Sequence, residues 1–135
     1  MTLHVEVVSP ERILWTGDAS RVIARTIGGG DIAFLTGHTQ FVGALDIAPV
    51  FVHSDDGADE TIAVHGGFVE VSHDRVTVLS DVAEVASQID VERARAAQER
   101  AETHLRTEQD AEVEAALRRA RVRIETATGA VAASH

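Results

Sequence analysis

Between Val85 and Gln88 the hydrophobic pattern of the chain changes its period, and that change decides the architecture. Upstream, apolar residues alternate in short runs broken by turn residues, the signature of half-buried strands. Downstream, from Ile89 to Ile124, apolar residues recur every three or four positions, the signature of a helix face. The expected fold is mainly β plus α: a flattened N-terminal β-sandwich or barrel, then an antiparallel two-helix hairpin. The expected division is a sandwich over residues 1–86, a hairpin over 87–127 and a disordered tail over 128–135.

The strand region divides at its turns. Leu3–Val8 alternates, and Ser9-Pro-Glu-Arg closes it. Extended runs are predicted at Ile13–Trp15, Arg21–Ile27, Ile32–Leu35, Phe41–Ile47, Val50–His53, Thr61–Val64, Gly67–Val71 and Arg75–Leu79. Strands at this spacing describe a sandwich or flattened barrel. Gly28-Gly-Gly-Asp lacks the lysine and helix of a phosphate loop, so it reads as a tight turn.

Asp90 fits the N-cap of a first helix, with Glu92 at its positive end. Ala94, Ala97, Ala101 and Leu105 form its apolar stripe. A second helix begins near Asp110, with Val113, Leu117, Ala120 and Ile124 as its seam. Arg106–Gln109 joins the two. Three of the four stripe residues of the first helix are alanine, and each buried methyl contributes only ~0.8 kcal/mol. Helices this short are marginal alone, so the hairpin needs docking, a ligand or a partner.

Charge narrows the partners. The net charge is −10, and all twelve basic residues are arginine. Thirteen acids and four bases lie in residues 1–87, whereas 88–135 holds nine acids and eight bases. An acidic body disfavours nucleic acid, whose binding is driven by phosphate neutralisation. A protein with basic patches is the better partner. No cysteine is present, so there is neither a disulfide framework nor a thiolate metal site. No apolar run is long enough to span a bilayer, and Met1 leads straight into the first strand, so no signal segment is expected.

Catalytic signatures are missing. The sequence holds no Gly-x-Ser-x-Gly, no cysteine nucleophile and no P-loop. The histidines His4, His38, His53, His65 and His73 stand isolated, without the convergent spacing of a metal site. The arginines are more specific. Arg93 and Arg100 share one helix flank, and Arg119 and Arg123 share one on the other helix. In an antiparallel hairpin these four converge near Asp90 and Glu84, where guanidinium forks suit phosphate. Ion pairs inside the hairpin with Glu92, Glu99 and Glu125 are the competing account, and spacing alone favours them.

Leu3-His-Val-Glu-Val-Val-Ser-Pro-Glu, together with the segments that follow it in order, resembles the epsilon subunit family of bacterial F-type ATP synthase, whose first strand it looks like. Gly30-Asp31-Ile32-Ala33-Phe34-Leu35-Thr36-Gly37-His38 is similar to its Gly-Glu-(Leu/Ile)-Gly-Ile-x-Pro-Gly-His loop, with Thr36 and Ala33 departing from the usual Pro and Gly. His65-Gly66-Gly67-Phe68-Val69-Glu70-Val71 resembles its Gly-Gly-x-x-Glu-Val strand, and Asp81-Val82-Ala83-Glu84 the end of its sandwich. Ile89-Asp90-Val91-Glu92-Arg93-Ala94 resembles its Ile/Leu-Asp-x-x-Arg-Ala helix start.

The resemblance implies a non-catalytic central-stalk subunit that carries rotation between the membrane c ring and the catalytic head. It implies gamma, the c ring and the alpha/beta head as partners, with no nucleic acid and membrane contact only through the complex. It places the chain on the cytoplasmic side of the bacterial plasma membrane. Asp31 and His38 are then the c-ring contacts, in one loop. The hairpin is a mobile arm that restrains ATP hydrolysis, with Arg118, Arg119, Arg121 and Arg123 meeting acidic segments of beta. In some members the folded hairpin binds ATP. The matching positions are Glu84, Ile89, Asp90, Arg93, Arg100, Arg119 and Arg123, so regulatory ATP, with or without magnesium, is the one ligand implied. With the resemblance added, phosphate outweighs the ion-pair account. Two other classes stay open: a stand-alone acidic adaptor with a dimerising hairpin, and, more weakly, a small hydrolase.

Overall fold

The structure, a computed structural model, describes residues 2–107 and 109–129. Eight strands precede two helices: β1 Leu3–Val8, β2 Ile13–Ala19, β3 Arg21–Thr26, β4 Gly30–Leu35, β5 Phe41–His53, β6 Glu60–Ser72, β7 Arg75–Leu79, β8 Ala83–Val85, then α1 Val91–Leu105 and α2 Ala111–Thr128. A short 3-10 turn, Ala86–Gln88, stands where the hydrophobic period changes.

The strands hydrogen-bond in the order β2-β1-β7-β6-β5-β3-β4, and β8 adds to β6. β1 and β7 run parallel; the other pairs are antiparallel. Alternation sends Leu3, Val5 and Val7 inward from β1, Val69 and Val71 from β6, and Val76 and Val78 from β7. With Val22, Phe34, Leu45, Val52 and Ile62 they fill one core. Each such side chain contributes roughly 1.5–3 kcal/mol on burial.

Two pairs of predicted strands are each one long strand. Phe41–Ile47 and Val50–His53 belong to the 13-residue β5, and Thr61–Val64 and Gly67–Val71 to the 13-residue β6. Ala48-Pro49 and Gly66-Gly67 look like breakers in sequence, but the ladder between the two strands keeps one register on both sides of them. Pro49 lacks an N–H, and it falls where the β3–β5 pairing is out of register, between Ile23 and Thr26. At Gly66-Gly67 β6 changes neighbour, from β8 before it to β7 after it. The Gly28–Gly30 segment is the β3–β4 turn, with Gly28 and Gly30 at φ +79 and +69.

The hairpin is folded against the sandwich. α2 packs on α1 on one side and on β5 and β6 on the other. Its buried residues are Leu117, Ala120, Val122 and Thr126, whereas Val113 and Ile124 are half-buried. The predicted seam of Val113, Leu117, Ala120 and Ile124 is therefore too narrow. A helix held between two neighbours needs a wider apolar face than a two-helix seam. Asp90 and Asp110 cap the helices, accepting from the N–H groups of Arg93 and Glu112 at 3.1 and 2.9 Å. α2 runs to Thr128 and ends on left-handed Gly129, so residue 128 is helical, not part of a tail; residues 130–135 lie outside the described residues.

Candidate functional site

The start of α1 and the end of α2 meet over β8, as the antiparallel hairpin requires. The cavity between them measures about 360 Å³ and is lined by Glu84, Gln88, Asp90, Arg93, Ala94, Ala97, Arg100 and Arg123. The small side chains of Ala94 and Ala97 leave the room. Among the described residues Arg93 and Arg100 have no carboxylate partner, so two guanidinium groups face the cavity uncompensated.

Arg123 is occupied. Its Nε donates to Glu84 Oε1 at 2.7 Å, and the same oxygen meets His65 Nε2 at 3.1 Å. Burial pushes the Glu84 carboxyl up, but the hydrogen bond and charge of Arg123, with His65, more than offset it, so the group sits below the usual glutamate range. His65, with a side chain only 4% exposed, is pushed below the usual histidine range by burial first and by the charge of Arg123 second.

Of the seven nucleotide positions expected from sequence, Glu84, Asp90, Arg93, Arg100 and Arg123 line the cavity. Arg119 and Ile89 do not. Arg119 turns along its own helix and donates to Glu112 at 3.0 Å, an ion pair with a different partner from those expected. Ile89 is half-buried at the junction. Two participants escaped the sequence reading: Gln88, which lines the cavity, and His65, whose partners lie 19 and 58 positions along the chain.

The four arginines of α2 each have a carboxylate in the folded arm. Arg118 reaches Asp46 on β5 at 3.4 Å, Arg119 Glu112, Arg121 Glu102 on α1 at 3.8 Å, and Arg123 Glu84. Two of these four contacts tie the arm to the sandwich.

Asp31 and His38 do not share a loop. Residues 30–35 form β4, so Asp31 stands near one end of the strand, while His38 closes the turn beyond the other end, its N–H donating to Leu35 at 3.1 Å. Asp31 accepts from Arg25 Nε at 2.9 Å across the β3–β4 ladder. The His38 ring sits edge-on to Phe34, centroids 5.1 Å apart.

The sandwich also carries an exposed apolar band. Ile27 bonds to Ala44, and cross-strand pairs continue Ala44–Phe68–Leu79–Val8–Ile13 over neighbouring strands. Ile27, Phe68, Leu79 and Ile13 are 66, 56, 43 and 60% exposed, and Val42, two residues before Ala44, is 70% exposed. Apolar side chains on the outward positions of several paired strands mark a binding face.

The family "ATP synthase, Delta/Epsilon chain, beta-sandwich domain" matches residues 2–86, and "ATP synthase, Delta/Epsilon chain, long alpha-helix domain" matches residues 87–128. The ATP synthase epsilon chain of Streptomyces griseus is 43% identical over 122 residues, covering 90% of this chain and 92% of that one. That of Brevibacillus brevis is 46% identical over 112 residues, 83% of each. Among solved structures, a chain of the Euglena gracilis mitochondrial ATP synthase (OSCP, F1 and c-ring) is similar with a TM-score of 0.72 at 20% identity, covering 99% of this chain and 82% of that one. Its contribution is to the fold. A free-standing adaptor is not favoured, because the likeness extends over strands and hairpin together. With both family matches and relatives above 40% identity along nearly its whole length, the chain belongs to the delta/epsilon family of ATP synthase subunits and groups with the epsilon chains.

Proposed function

We propose that the chain is a central-stalk subunit of an F-type ATP synthase whose folded hairpin takes up ATP and whose extended hairpin restrains ATP hydrolysis. It contributes no catalytic group of its own. The observation that carries the nucleotide reading is the cavity in which Arg93 and Arg100 face open space beside Arg123. A volume of about 360 Å³ falls within the ordinary range for small-molecule sites. The donor set also suits the group: guanidinium forks for the phosphates, Asp90 and Gln88 for polar edges of base or ribose, and Ala94 and Ala97 as a flat floor. Arg119 is not needed there. Bound ATP, with or without magnesium, would supply negative charge that ties α1 to α2.

The exposed band from Ile27 to Ile13 is the natural seat for gamma, since its apolar rows would otherwise stay wet. Asp31 and His38, at the two ends of β4, are proposed to reach the c ring separately. No helix among the described residues is long and apolar enough to cross a membrane. As a member of the ATP synthase delta/epsilon family, the chain is proposed to associate peripherally, through the complex, at the cytoplasmic face of the bacterial plasma membrane.

Calorimetric titration of the full chain with ATP tests the site. A charge-assisted bond is worth roughly 1.5–3 kcal/mol, so Arg93→Ala or Arg100→Ala should weaken binding about tenfold or more. Glu102→Ala lies outside the cavity and should leave affinity unchanged. Absence of heat at millimolar ATP, or equal losses in all three variants, overturns the nucleotide reading. The stalk assignment is tested separately, by co-purification with gamma.

A further inference from the structure

His65 is a buried histidine with one satisfied nitrogen. Its backbone N–H donates to Val82 at 3.2 Å, and Gly66 and Gly67 follow it within the continuous β6 at left-handed φ of +82 and +116. The ring faces Glu84 on β8, and the charges of Arg123 and Arg119 reach it from α2. Nearby on β5, Asp46 is engaged with Arg118. Glu84 is ionised and only accepts, so the proton of neutral His65 sits on Nε2. Nδ1 is buried and has no hydrogen-bond partner among the described residues.

We propose that His65 is a positioning residue that holds Glu84 in place for Arg123, and that it releases the hairpin from the sandwich when it takes up a proton. A second proton would have to go on Nδ1, creating a buried charged N–H with no acceptor among the described residues, near the Arg123 guanidinium and within reach of the weaker field of Arg119. Glu84 offsets part of this cost, but it already serves Arg123 through the same oxygen. Once α2 lifts away, Arg123 and Arg119 leave with it and water reaches the imidazole. The detached state therefore binds the proton more readily, and linkage makes proton uptake and detachment favour each other.

The signs agree for both groups. The folded value of His65 lies below its ordinary value, so its contribution to docking is complete above about pH 6.5 and is lost as pH falls below that. Glu84 is also lowered; its contribution is complete above its ordinary range and is lost only at still lower pH. Acid detaches the arm in two stages, the histidine first. No nucleotide is needed for this, so the latch stands or falls independently of the ATP site.

The chain has no cysteine, so two can be introduced cleanly. Thr107→Cys at the hairpin tip and Glu70→Cys on β6, both exposed, carry a fluorescence donor and acceptor on the full chain. Without nucleotide, the docked-to-detached ratio should fall about threefold or more between pH 7.5 and pH 5.5. His65→Gln keeps a side-chain donor for Glu84 but cannot titrate, so it should stay docked with a flat profile. Should that variant fail to fold, the NMR titration of His65 in the unaltered sequence decides the matter, because the docking midpoint must follow it. A flat profile in the parent chain, an unchanged slope in His65→Gln, or docking that ignores the His65 titration overturns the proposal.

Discussion

Among the described glycines, Gly67 leaves the least room for a side chain. Its φ is +116, and an added Cβ would stand 2.0 Å from the carbonyl oxygen of Leu79. That oxygen belongs to backbone held by the Phe68–Leu79 pair, so it cannot simply step aside. Gly67→Ala should destabilise the chain by more than ~2 kcal/mol, seen as a lower denaturant midpoint at unchanged slope. A loss under ~0.5 kcal/mol would show that β7 yields there. The sequence exposed some residues at this scale and hid others. Arg93, Arg100 and Arg123 could be found because helical spacing sets their flanks, and flanks are local. Arg119 shares Arg123's flank, but its long side chain takes Glu112 instead. His65 stands isolated in the sequence because its partners come from another strand and another helix, and no spacing rule spans those distances.

The elements were more legible than their boundaries. Both N-caps follow from an aspartate ahead of a helical apolar pattern, a signal contained in a few residues. In sequence the long strands β5 and β6 each read as two, because Pro49 and Gly66-Gly67 carry the local signs of a turn. Pairing along the whole length of both strands overrides those signs. α2's buried face is wider than its sequence seam, since a helix pattern does not say how many neighbours the helix has. Val122 measures this. It is only 2% exposed and lies outside the predicted seam. Val122→Ala should cost roughly 1–3 kcal/mol. If Val122 serves docking, hydrogen exchange should speed up in α1 and α2 while the amides of β5 and β6 keep their protection. Equal loss of protection in strands and helices would mean that hairpin and sandwich open as one unit.

For the whole molecule, the arrangement of charge matters more than its total. The body is acidic, and in the folded arm every α2 arginine at positions 118, 119, 121 and 123 is spent on a carboxylate of the same chain. If the arm extends as proposed, those charges become free for another surface, and the folded and extended states would compete for the same guanidinium groups. Net charge and the uneven division of acids and bases could be read from sequence; which carboxylate meets which arginine could not, since Asp46 and Glu84 are brought to α2 only by the sandwich fold. This competition predicts opposite outcomes for two changes in the assembled ATP synthase. Replacing all four arginines by alanine removes what the extended arm would present to the head, so ATP hydrolysis should rise and its inhibition should lose salt dependence. Asp46→Ala leaves the arginines intact and removes only one tie of the folded arm. Exposed pairs contribute about 0–1 kcal/mol, so the population should shift toward the extended arm by up to about fivefold and hydrolysis should fall. If both variants move hydrolysis in the same direction, the arm does not act by exchanging one set of carboxylates for another.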